Sequence, residues 1–357
     1  MEWSSSRNIH LRYGRGGAVR TRRQGYLRTV QKGNRQTEGS EMNSTTPYPA
    51  FRATRSIRFT MVHVVCSVVL LNLIATSLSA SQDPLKSKFG GKLKSVVEAS
   101  DAIVGIAIKD LNSGDEFVLN GDEIFPQASS IKIHILSELY RQAEAGKFRL
   151  SDIRSLPRSA KVGGSGVLAE LGENSVSMSI RDYAVLMIVL SDNTATNLLI
   201  DLVGMENVNK HLQVLGATKT KLQRVMMDVK AAAAGRENIG TPREVMTVLE
   251  KLYRGEIVNK KACDDMLSIL RKPKEGALRA GVPGAVGVAN KEGEVEGTRC
   301  DVGIVYLPDS PYIICVMTKL LLNDADGPKI ITEVSRTAYQ YFERKANSNQ
   351  YGRRIPK

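Results

Sequence analysis

The chain has 357 residues, 42% of them hydrophobic, enough to bury the core of one large domain or two intertwined ones. Its formal net charge of +13 hints at nucleic acid, yet residues 1–80 hold 12 Lys+Arg against 3 Asp+Glu and the rest only 38 against 34. The basic excess belongs to the leader, which argues against a nucleic-acid role for the folded part.

Residues 1–60 are rich in Arg, Ser and Gly with no apolar period. They read as disordered, or as sequence upstream of the true start, with Met42 and Met61 as alternative starts. Arg55 and Arg58 then precede "MVHVVCSVVLLNLIATSLSA", Met61 to Ala80. A basic stretch, an apolar run and a small-residue end make a signal peptide cleaved near Ala80. The mature chain is expected to be secreted or periplasmic, monomeric and free of the membrane. A membrane anchor is the rival, but Asn72 and the Ser/Thr-rich end shorten the apolar run below spanning length. Cys66 lies inside this run without a lipoprotein-type context.

Beyond the leader remain Cys263, Cys300 and Cys315, whose spacing suits neither a zinc site nor a disulfide framework. They read as buried thiols. Only two histidines remain, His134 and His211, too few for a multi-histidine metal centre. No metal or organic cofactor is implied.

From Asp101, "AIVGIAIKDLNSGDEFVLN" predicts two strands joined by the turn Asn112-Ser113-Gly114-Asp115. In "FPQASSIKIHILSELY", Ile131, Ile135, Leu136 and Leu139 recur at helical spacing, predicting a helix from Ser129. Helical patterning continues to about Leu270. Ser179 is an N-cap candidate, two helices meet near Ser191, and Thr241-Pro242 opens another helix with proline at its first position. Then "GAVGVANKEG", "GTRCDVGIVYLP" and "PYIICVMTKLLL" predict strands, with a hairpin turn at Pro308 to Pro311. A last helix is expected from Pro328 to Glu343. The order implies an α+β fold: an antiparallel sheet built from residues 81–128 and 269–346 with flanking helices. An all-α domain, 129–268, is inserted, and 347–357 form a tail.

Three short motifs could carry chemistry. In Ser129-Ser130-Ile131-Lys132, positions i and i+3 share a helix face, so a desolvated Lys132 could accept the Ser129 proton. By itself the pair could equally be an N-cap serine and a surface lysine. Ser191-Asp192-Asn193 offers a hydroxyl and an amide, or simply a capping cluster. Lys291-Glu292-Gly293 offers a cation and a glycine that lets another backbone approach, or a strand-end turn.

Together and in this order, the three resemble the set found in class A β-lactamases and penicillin-binding proteins. The resemblance runs from about Leu85 to Glu343 and includes "GGSGVLAEL" (Gly163 to Leu171), "LMIVLSDNTATNLLID", "TPREV" and "KEGEVEGTRCDVGIVY". It implies a β-lactamase-like fold and a β-lactam or cell-wall peptide substrate. It makes Ser129 the acylated nucleophile, Lys132 its base and Ser191 the proton relay. Asn193 would bind the substrate's side-chain amide, with Lys291 supporting Ser191 and attracting the substrate carboxylate. The backbone at Ser129 and Glu294, beside Gly293, would form the oxyanion hole, and Arg299 would contact the substrate carboxylate.

Two positions depart from the family. Class A enzymes carry Arg-x-Glu-x-x-x-Asn, whose glutamate positions the deacylating water. Here the segment reads Arg224-Val225-Met226-Met227-Asp228. Asp228 is the nearest substitute, or else a loop brace to Arg224, and Glu237 is a second candidate. Glu292 replaces a Thr or Ser and should repel a substrate carboxylate unless it pairs with Lys291 or Arg299. The leading expectation is a secreted serine β-lactamase of slow turnover. The alternatives are a D-Ala-D-Ala peptidase-like or esterase-like hydrolase and, last, a non-catalytic cell-wall peptide binder.

Overall fold

The computed structural model describes residues 83–172 and 175–355. The leader, the expected signal peptide and Cys66 lie outside the described residues. In chain order the elements are α1 (Pro84–Glu98), β1 (Ile103–Asp110), β2 (Glu116–Leu119), β3 (Phe125–Pro126) and α2 (Lys132–Glu144). There follow β4 (Ile153–Ser155), β5 (Ser177–Ser179), α3 (Ile180–Val189), α4 (Asn193–Val203) and α5 (Met205–Val214). Next come α6 (Val229–Ala233), β6 (Ile239–Gly240), α7 (Pro242–Arg254), α8 (Lys260–Leu270) and α9 (Ala277–Ala280). The chain closes with β7 (Gly287–Val295), β8 (Thr298–Tyr306), β9 (Tyr312–Lys319) and α10 (Asp326–Ala346).

The main sheet is antiparallel, in the order β2-β1-β9-β8-β7, so strands from both ends of the chain pair with each other. β1 and β9 read as near-continuous apolar runs because both sheet faces are covered. On β9, Ile313, Cys315 and Met317 join the core toward the helical region, while Tyr312, Ile314 and Val316 join the core under α1 and α10. The second core is aromatic: Phe89 stacks on Tyr341 at 4.3 Å and Tyr312 on Phe342 at 4.1 Å. Each such side chain contributes about 1.5–3 kcal/mol by leaving water, so neither layer can be stripped without exposing the sheet.

The local signals hold. Ser179 caps α3, Thr241 caps α7 with Pro242 at its start, and the Asp110–Asp115 turn carries Gly114 at φ +78°. Cys263, Cys300 and Cys315 are free and buried. α1 was not anticipated, although Asp83 caps it and Pro84 opens it.

His134, on α2, is 1% exposed and neither ring nitrogen has a hydrogen-bond partner among the described residues. Burial, with the nearby His211, pushes its pKa down to about 3. The folded value lies below the unfolded one near 6.5, so stability present above pH 6.5 is lost as pH falls toward 3. Urea unfolding should show the native protein losing about 3 kcal/mol more than His134→Leu between pH 7 and pH 4. Equal losses in the two proteins would refute this account of the histidine.

Candidate active site

Ser129 stands in a single 3-10 turn, Ala128–Ile131, that runs into α2. It does not cap the helix, which removes the alternative of an N-cap serine. No hydrogen bond ties its hydroxyl to another described residue, and Ser129 is half-buried. The turn is strained: Ala128 has φ +45°, a region non-glycine residues seldom occupy. The buried Gln127 holds it in place. Its carbonyl accepts from the Ser130 N–H at 2.9 Å, the Ser130 hydroxyl at 2.8 Å and the Cys300 thiol at 3.1 Å. Its N–H donates to the Asn238 carbonyl at 2.7 Å.

β7 lies directly against this turn. A Cβ on Gly293 would sit 2.5 Å from the Gln127 carbonyl oxygen and 2.9 Å from the Ser129 nitrogen. Only glycine fits, which gives the third motif a packing reason beyond a strand-end turn.

Lys132 is fully buried, and its ammonium donates to the Ser191 carbonyl at 2.7 Å, the Ser191 hydroxyl at 3.1 Å and Asn193 Oδ1 at 3.0 Å. Its contacts are therefore with the second motif, not with Ser129 one turn earlier. Burial holds its pKa well below the usual lysine range, and the charge of Lys291 pushes it the same way, against the pull of Asp192. A lysine so placed is suited to giving up its proton.

The second motif is pinned from two sides. Asp192 caps α4, accepting from the Ala195 N–H, and its other oxygen accepts from Val167 and Leu168 N–H at 2.7 and 2.9 Å. The Gly163–Leu171 segment is thereby laced to the site, helped by the Asn193 N–H, which donates to the Ser165 carbonyl. Ser191, at φ +52°, is a second strained non-glycine residue here. The Lys291 side chain is buried in β7, where its ammonium donates to the Glu292 carbonyl at 2.9 Å. Burial lowers its pKa, while Glu292 and Asp301 pull it back.

This architecture has relatives. Residues 88–342 match the family described as the beta-lactamase enzyme family. The chain belongs to that family. It is 27% identical to beta-lactamase SME-1 of Serratia marcescens over 77% of this chain and 95% of that protein. A beta-lactamase from Sphaerobacter thermophilus superposes with a TM-score of 0.66 at 32% identity, covering 72% of this chain and 97% of the other. A mutant of PBP-A, solved as its acyl-enzyme complex with penicillin G, gives 0.67 at 30% identity over 72% and 97%.

The Arg224–Asp228 loop, where the sequence departs from the class A motif, is built differently from what the resemblance suggested. Arg224 pairs with Glu237 at 2.8 Å, not with Asp228. Asp228 caps α6, accepting from the Ala231 N–H at 2.9 Å. Both carboxylates weighed as substitutes for the missing glutamate thus have other partners. Asn197 clamps the Met226 backbone, donating to its carbonyl at 3.0 Å and accepting its N–H at 2.8 Å. Asn197 lies one turn after Asn193 on α4, so the loop backbone at Met226 is tied to the helix that carries Asn193, while the Met226 side chain packs in the core.

Glu292 points to the other strand face from Lys291, opposite Asp301 in register. Among the described residues it forms no ion pair with Lys291 or Arg299. Its neighbour Asp301 is buried and pushed up to about 6, chiefly by desolvation. Arg299, opposite Glu294 in register, is tied to Asp324 at 3.2 Å. Asn197, Gln127 and Asp324 escaped the sequence reading, and Cys300 was read only as a buried thiol. Only Asn197, four residues after Asn193, left a local signal.

Proposed function

We propose that this family member is a serine β-lactamase of slow turnover, acylated at Ser129, with Lys132 as the base. The observation that carries this reading is the buried Lys132 ammonium held on the Ser191 hydroxyl and Asn193. It places the base on the hydroxyl that would deliver a proton to a leaving nitrogen. Ser129 Oγ attacks the lactam carbonyl as the amide C–N bond breaks, and the serine proton reaches the leaving nitrogen through Lys132 and Ser191. The backbone N–H groups of Ser129 and Glu294 are the proposed oxyanion donors. β7 is an edge strand, so its free edge can receive an extended substrate. The leader supports export of the mature chain, whose substrate would then be met outside the cytoplasm.

Turnover is slow in this reading because no carboxylate replaces the family glutamate. That feature also supports a second reading, a peptidase-like or esterase-like hydrolase whose natural acyl group is not a lactam. Intact-mass analysis of the chain from Ser81 with benzylpenicillin tests both. The expected result is an adduct on Ser129 that clears over hours while penicilloate accumulates. An adduct that never clears favours the second reading, and no adduct on Ser129 removes the first.

A further inference from the structure

The described chain begins at Asp83, three residues after the apolar run Met61–Ala80 ends. α1 therefore stands where the leader joins the fold, and its outer face is basic. Lys88, Gly91, Lys92 and Ser95 share one exposed face of this helix. Like charges at i and i+4 weaken an isolated helix, so α1 is held by what lies beneath it: Phe89 and Leu93, both buried in the aromatic core.

α1 and α10 meet along a shallow groove lined in part by Lys88, Lys92, Gln340 and Arg344, with no carboxylate in its lining. Arg344 also lines the neighbouring cleft, together with Arg354. Lys88, Lys92, Arg344 and Arg354 are all exposed, and none forms an ion pair among the described residues. Their neighbours differ: Lys86 pairs with Asp115, Lys94 with Glu98 and Lys345 with Asp110. The two carboxylates in that cleft have other partners, since Asp83 accepts the Leu85 N–H and Glu343 the Tyr339 hydroxyl. Residues 81–357 hold 38 Lys+Arg against 34 Asp+Glu, so four unpaired cations on one face are a local concentration of charge. The face is also turned away from the chemistry. α1 and α10 cover one side of the sheet, whereas Gly293 and Cys300 meet the nucleophile turn on the other.

We propose that the α1–α10 face docks on an anionic phospholipid surface, with headgroup phosphates taken by Lys88, Lys92, Arg344 and Arg354. Charge complementarity favours this occupant. So does the apolar run, which as a signal or an anchor brings the chain to a membrane at the end next to this face. Each cation near an anionic bilayer adds to binding, and salt screens the sum. Among the described residues no helix is long and apolar enough to cross a membrane, so the contact is peripheral and reversible. A plane resting on this face leaves the Ser129 side open. A mature chain released near Ala80 would then stay at the membrane rather than diffuse free of it.

The test is co-sedimentation of the chain from Ser81 with vesicles of phosphatidylcholine, alone or mixed with phosphatidylglycerol. That chain contains both cores and every strand of the main sheet, so it folds without the leader. The native protein should bind the mixed vesicles and not the neutral ones, and should be released by about 0.5 M salt. Lys88→Gln, Lys92→Gln and Arg344→Gln combined should weaken binding about 100-fold. Lys147→Gln, Lys230→Gln and Lys261→Gln combined, in the helical region, change the net charge equally and should weaken it less than about threefold. All six side chains are exposed and without ion pairs among the described residues, so both variants keep the fold, and circular dichroism checks this. Equal losses in the two variants would make binding a matter of net charge and overturn the assigned face. No binding of the native protein to the mixed vesicles overturns the proposal outright. Retention on soluble polyphosphate without vesicle binding would overturn it too, giving the face to a different polyanion.

Discussion

Ser129→Ala is expected to abolish acylation and any hydrolase activity, with less than about 1% of the native rate remaining. The fold should survive, because the hydroxyl has no hydrogen bond to lose among the described residues and the turn is held by Gln127 and Ser130. Lys132→Ala should lower acylation by about 10²–10⁴-fold, the range of a positioned general base. Lys132→Arg separates base from bare charge, because guanidinium keeps its proton at all accessible pH. If the arginine variant acylates at the native rate while Ser129→Ala does not, Lys132 supplies charge alone. Circular dichroism of each variant guards against reading an unfolded chain as an inactive one. The depressed pKa of Lys132 fixes the sign of the pH dependence: acylation rises as pH increases through that value, well below the range of a solvent-exposed lysine.

The parts of the site that were legible in the sequence are those whose chemistry is local. Ser129 and Lys132 lie three residues apart, Ser191 to Asn193 are adjacent, and Gly293 follows Lys291 by two. Caps and turns behave similarly, since Ser179 and Thr241 each satisfy an N–H three residues on. The sheet was readable because a strand covered on both faces shows as a run such as "DVGIVY". Illegible were the contacts between distant segments and the strained backbones. Lys132 finds partners 59 and 61 residues away, and Arg299 finds Asp324 in the turn before α10. Nothing in "PQASS" announces a positive φ at Ala128, because alanine has no preference for it. Asp228 misled for the opposite reason. A carboxylate at nearly the right place in a motif invited a catalytic role, while the alanine run after it marked a helix that needed a cap.

Met226→Glu is expected to shorten the lifetime of the penicillin acyl-enzyme by about 100-fold, within the reach of a single general base. The residue occupies the motif position of the family's glutamate, and Asn197 fixes its N–H and carbonyl from the helix that carries Asn193. The new carboxylate would therefore enter a segment already held beside the acylation machinery, where it could bind and deprotonate water. Met226 is only 7% exposed, so the charge is partly desolvated and thermal stability should fall. Asp228→Asn provides the contrast, since asparagine is as good an N-cap and should leave the lifetime unchanged. Timed intact-mass spectra after a penicillin pulse read both variants. A folded Met226→Glu protein whose adduct lasts as long as the native one would show that the loop does not present position 226 to the acyl group. Lengthening of the adduct by Asp228→Asn would instead make Asp228 the working base, and the cap seen here only one of its conformations.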